Sequence, residues 1–105
     1  MKREVLGTLE ITAEDIARAF MLCERGVNSQ RCPLAVALSR KYFVRLQDVS
    51  VHPDGLSVET YGPFGKVHRF EPTPTLRRFM QDWDRKRQAR PARYRLYRRA
   101  LWPYA

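Results

Sequence analysis

Val49-Ser50-Val51-His52-Pro53-Asp54-Gly55-Leu56-Ser57-Val58-Glu59-Thr60-Tyr61 is the stretch that decides the fold class. Val49 and Val51 alternate with Ser50 and His52. Leu56, Val58 and Thr60 then alternate with Ser57, Glu59 and Tyr61. A period of two puts apolar side chains on one face of an extended chain and polar ones on the other. Pro53-Asp54-Gly55 between the two runs carries turn chemistry, because Pro presets φ and Gly tolerates positive φ. Gly62-Pro63-Phe64-Gly65 makes a second turn, and a third run follows from Lys66 to Glu71. The stretch predicts a three-stranded antiparallel meander with one buried face.

A half-buried sheet needs cover, and the flanking sequence offers helices for it. Upstream, Val5 to Ile11 alternates as a short strand that Gly7 weakens. Thr12-Ala13-Glu14-Asp15 then reads as a capping box with Asp in place of Glu, and Ile11 and Ile16 are spaced as a hydrophobic staple. Ile16, Ala19, Phe20 and Cys23 keep helical spacing, and Gly26 suits the terminator position, so a first helix is predicted over 13–25. Cys32-Pro33-Leu34-Ala35-Val36-Ala37-Leu38 is apolar all round. It predicts a second, deeply buried helix that starts at Pro33 and runs to about Lys41. Downstream, Thr73 caps a third helix with Pro74 in its first position. Leu76, Phe79, Met80 and Trp83 make its apolar stripe. Gln88 to Ala92 is a basic linker. Tyr94-Arg95-Leu96-Tyr97 returns as a strand with Tyr94 and Leu96 inward and Arg93, Arg95 and Tyr97 outward. The predicted order is β-α-α-β-β-β-α-β: one α+β domain over 1–97, an antiparallel sheet with helices on one face, and an aromatic, basic tail over 98–105.

Charge is distributed unevenly over this frame. Ten of the twenty Lys and Arg residues lie between Arg77 and Arg99, among only Asp82 and Asp84. The remaining ten bases are nearly balanced by nine acids. A solvated helix face accounts for Arg77 and Arg78. It accounts less well for Arg85, Lys86, Arg87, Arg90, Arg93, Arg95, Arg98 and Arg99, because few acids stand nearby to pair with them. Arg dominates Lys nine to one in this window, and its planar fork suits phosphate. Tyr94, Tyr97, Trp102 and Tyr104 are interleaved and suit base stacking or partner contact.

Other chemistries fit poorly. Cys23, Cys32, His52 and His68 could make a two-Cys, two-His set, but their spacing lacks the close pairs of structural zinc sites. No metal and no cofactor is predicted. Cys32 near a helix start could be an activated thiol, yet its apolar neighbours argue for an inert buried one. Gly62-Pro63-Phe64-Gly65-Lys66 lacks the length and the following Ser or Thr of a phosphate loop. No apolar run is long enough to cross a bilayer and the first residues lack a secretory apolar segment, so a cytoplasmic protein without membrane contact is expected.

The stretch from Ile11 to Leu96 resembles a diffuse group of small uncharacterised proteins encoded by phages and prophages. The resemblance lies in Thr12-Ala13-Glu14-Asp15-Ile16, in the Cys32-Pro33-Leu34-Ala35 helix start, and in Leu76 to Asp84 followed by Arg90-Pro91 and Tyr94-Arg95-Leu96. It implies a mobile-element setting and brings no catalytic residues. Together these features predict a non-enzymatic phage or prophage accessory protein. It would bind nucleic acid, or a nucleic-acid-containing host complex, through Arg85, Lys86, Arg87, Arg90, Arg93, Arg95, Arg98 and Arg99. Eight phosphate contacts on duplex DNA would give a log–log salt slope of about −7. The alternative is a protein-binding inhibitor of a host defence enzyme, of the anti-CRISPR sort, or a sponge for an anionic nucleotide with an enclosed basic pocket. The tail can also pack on the domain, close a homodimer or dock on a partner.

Overall fold

The Thr12–Asp15 capping box forms, and it does more than start a helix. In the computed structural model the Thr12 amide donates to Asp15 Oδ2 (3.0 Å) and the Asp15 amide to Thr12 Oγ1 (3.2 Å). Asp15 is buried, and Arg40 donates to both of its carboxylate oxygens, at 3.1 and 2.9 Å. The same guanidinium donates to the Glu10 carbonyl (2.7 Å), so one Arg ties together three consecutive elements. Burial alone would raise the Asp15 carboxyl, but the Arg40 and Thr12 hydrogen bonds and the Arg40 charge outweigh it and hold the group below its ordinary range.

The structure describes residues 5–24, 32–52, 55–60, 65–86 and 88–99, with the side chains of 23 and 24 left aside. The element order is β1 (Val5–Ile11), α1 (Ala13–Glu24), α2 (Pro33–Tyr42), β2 (Val49–His52), β3 (Gly55–Glu59), β4 (Val67–Phe70), α3 (Pro74–Lys86) and β5 (Ala92–Tyr97). This is the predicted α+β order. Two further features lie outside the sequence reading. A 3-10 turn over Leu46–Asp48 leads into β2, and Phe43 closes α2 in the left-handed region (φ 55°), where Gly is the usual residue.

The strands form two antiparallel sheets, β1-β5 and β2-β3-β4. Gly7 sits at a bulge in β1 with φ 134°, a conformation that strains any side-chain-bearing residue. The sheets join where the chain after β5 meets β4. Phe70 bridges Arg98, the Glu71 amide donates to the Tyr97 carbonyl (2.8 Å), and the Arg99 amide donates to the Arg69 carbonyl (3.1 Å). Strand pairing therefore continues through Arg99. Residues 100–105, including Trp102 and Tyr104, lie outside the described residues, as does Gly26.

The helices share one side of this surface. α2 lies directly on the strands with α1 outside it, so Pro33 through Ser39 are all buried, as an all-round apolar helix requires. α3 presents Leu76, Phe79, Met80 and Trp83 inward. Trp83 meets Phe20 of α1 edge to face (6.5 Å), and Phe79 meets Tyr94 of β5 in the same manner (5.9 Å). Leu9, Ile11, Val49, Val58, Phe70 and Leu96 complete the core from the strands.

Candidate nucleic-acid interface

Alternation along β5 sorts its side chains by face. Leu96 is fully buried and Tyr94 points inward, half-buried against Phe79. Arg93 and Arg95 are exposed on the opposite face. Tyr97 and Arg99 follow at the same period, so Arg93, Arg95, Tyr97 and Arg99 run along one line. Alternate residues of a strand stand roughly 6.6 Å apart, which makes the line about 20 Å long. Among the described residues no helix covers this face.

The sheet junction adds a base from far along the chain. Antiparallel pairing around Phe70 and Arg98 sets Arg69 of β4 directly across from Arg99. Like charges at opposed positions of a sheet destabilise it. The Arg99 guanidinium lies against Gly55, in the space that a Cβ there would fill. Arg93 is paired with Glu10 across β1 (2.9 Å), but both side chains are largely exposed, so this bridge is weak and exchangeable. Arg95 stands opposite Thr8, and no carboxylate pairs with it among the described residues.

The other predicted contacts fall elsewhere. Arg85 and Lys86 are exposed in the last turn of α3, where cations also complement the helix dipole. Arg87 lies outside the described residues. Lys86 and Arg90 rim an open cleft of about 680 Å³ between α3 and β5, joined there by Arg78. Phe79 and Tyr94 form part of its wall, and Asp82 also lines it. Burial first, then the Asp82 charge, pushes the Tyr94 hydroxyl above its ordinary range. Tyr94 thus belongs to this cleft, and Tyr97 is the aromatic ring on the open face. The seven described cations of the predicted eight do not share one surface: Arg93, Arg95 and Arg99 stand on the open sheet face, and Arg85, Lys86 and Arg90 lie at the end of α3 and its cleft.

Lys66 and Arg69 escaped the sequence reading because they lie outside the basic window, and Arg78, inside it, was assigned to a solvated helix face. Arg69 had a signal: it occupies an outward position in the Val67-His68-Arg69-Phe70 alternation.

The Cys23 side chain lies outside the described residues, and the other catalytic and metal candidates sit on different elements. Cys32 is buried at the start of α2, where its Sγ accepts the Leu34 amide (3.4 Å) as a helix cap. His52 is exposed in β2, and His68 stacks on Tyr42 (5.2 Å). Among the described residues no three His, Cys, Asp or Glu side chains gather as a metal site, and no helix is long and apolar enough to cross a membrane. No protein-family model matches the chain, and no curated protein or solved structure is significantly similar to it.

Proposed function

We propose that the protein is a non-enzymatic nucleic-acid-binding protein whose contact surface is the uncovered face of β5 and β4. The mobile-element setting implied by the sequence resemblance makes it a phage or prophage accessory protein. One observation carries the reading: Arg93, Arg95 and Arg99 stand in line on an open sheet face, and Arg69 is set across from Arg99. Concentrated guanidinium groups repel one another until a polyanion lies between them. Phosphate contact supplies the affinity, and Tyr97 offers a ring on which a base can stack. A line of about 20 Å spans roughly six nucleotides at 3.4 Å each.

The test is fluorescence anisotropy of a labelled oligonucleotide against salt. Four phosphate contacts give a log–log slope of about −3 on a single strand and about −4 on a duplex. This replaces the slope of about −7 expected when all eight cations act together. Arg95→Gln should lower the slope by about one unit. A flat salt dependence refutes the reading. Retention of an acidic protein after nuclease treatment of a host lysate would favour the defence-inhibitor reading instead.

A second reading has its own observation. The cleft between α3 and β5 gathers Arg78, Lys86 and Arg90 around a volume in the range of small-molecule sites. That arrangement offers three cations to an anionic nucleotide, in an open cleft that Asp82 also lines rather than an enclosed pocket. Equilibrium dialysis with a mononucleotide, before and after Arg78→Gln, tests it.

A further inference from the structure

A second, smaller hollow of about 240 Å³ lies where the start of β1 comes near β4. Leu6 and Val67 are its apolar lining. Lys66, Arg69, Arg98 and Arg99 contribute four cations to it, His68 adds an imidazole, and no acid lines it. These residues come from two distant parts of the sequence, joined by the Phe70–Arg98 bridge and the Arg99–Arg69 hydrogen bond. The backbone that carries them is therefore paired strand, which fixes their spacing. The hollow is too small for a drug-sized ligand. It lies at the end of the Arg93–Arg99 line, so it continues the proposed contact surface.

We infer that this hollow is a seat for a phosphomonoester, the terminal phosphate of a strand or that of a free nucleotide. The inference rests on the nucleic-acid reading for its first source and stands without it for the second. A phosphomonoester carries close to two negative charges at neutral pH and three strong acceptor oxygens, whereas a backbone diester carries one charge. Four cations around one hollow, with Arg69 and Arg99 opposed on the same face, match the first better than the second. Arg supplies planar forks for two oxygens at once, and Lys66 supplies a point charge. With the anion seated, the Arg69–Arg99 opposition becomes a clamp.

The experiment compares three otherwise identical single strands: 5′-phosphorylated, 3′-phosphorylated and unphosphorylated, at one fixed salt concentration. At least one phosphorylated strand should bind about fivefold tighter than the unphosphorylated one. Lys66→Gln and Arg69→Gln should remove that preference, while Arg18→Gln, an equal charge loss on α1, should keep it. Equal binding of all three strands overturns the seat for strand ends. A parallel arm follows thermal unfolding with inorganic phosphate or a nucleoside monophosphate at matched ionic strength. If no strand binds but phosphate raises the midpoint in the wild type and not in Lys66→Gln, the nucleic-acid reading fails and the seat survives for free phosphomonoesters. Equal binding together with no phosphate effect overturns the inference. So does mononucleotide binding that is lost in Arg78→Gln and unchanged in Lys66→Gln.

Discussion

Asp15→Ala should destabilise the protein by about 2–3 kcal/mol. The carboxylate is 4% exposed and accepts three hydrogen bonds, two from Arg40 and one from the Thr12 amide, while the Asp15 amide donates back to the Thr12 hydroxyl. Hydrogen bonds to charged groups contribute roughly 1.5–3 kcal/mol, and loss of a cap costs about 1 kcal/mol. The sum is reduced because the Arg40 side chain is 51% exposed and rehydrates once its partner is gone. At about 4–8 °C per kcal/mol for a small domain, the midpoint should fall by roughly 10–20 °C. Urea unfolding followed by far-UV circular dichroism measures this, and the m-value should stay constant. The pH dependence has a definite sign. The Asp15 carboxyl is held below its ordinary value in the folded state. Its contribution is therefore complete above the unfolded value of about 3.9 and fades as pH falls through the folded value. Wild type and Asp15→Ala should thus converge in stability as the pH drops below about 4. A loss under about 0.5 kcal/mol at neutral pH, within the range of an ordinary surface substitution, would refute the reasoning.

Three other outcomes follow from packing and backbone geometry. Trp83→Ala should cost about 3–5 kcal/mol, a large share of a small domain's stability, because the ring is 1% exposed between α3 and α1; urea titration would read a collapse of the midpoint. Phe43→Gly should raise the urea midpoint by about 0.5–1 kcal/mol in stability, since the ring is 94% exposed and its backbone is left-handed; a lower midpoint would mean that the ring holds something in place. Cys32→Ala should cost about 1 kcal/mol through lost packing and a lost cap, and should leave nucleic-acid affinity unchanged in the anisotropy assay.

Local rules made much of the fold legible. Alternation gave the meander, the Thr12 box opened α1, and Thr73-Pro74 opened α3, whose Thr73 hydroxyl accepts the Leu76 amide (3.4 Å). These features depend on residues within four positions of each other. What escaped depends on residues far apart. Arg40 reaches Asp15 across 25 positions, and nothing in either segment announces the other. The meeting of Phe70 with Arg98 is of the same kind, and it brings Arg69 to the candidate site. Phe43 escaped for another reason: no Gly or Asn marks the end of α2, so its left-handed backbone has no sequence signature. The basic C-terminal third was plain as composition. Its division between an open sheet face and the α3–β5 cleft was not, because a charge count carries no direction until strand period and helix phase assign each side chain to a face.

The claim that the uncovered face of β5 and β4 contacts nucleic acid is tested most directly by residue-level mapping. Amide chemical shifts of the isotopically labelled protein would be followed while a short single-stranded oligonucleotide is added at low salt. The account predicts progressive shifts at Arg93, Arg95, Tyr97, Arg99 and Arg69, and at Thr8 beside Arg95, with Glu14 and Arg18 on α1 unmoved. Shifts confined to the end of α3 and the residues around Arg90, or no shifts at all, would contradict it.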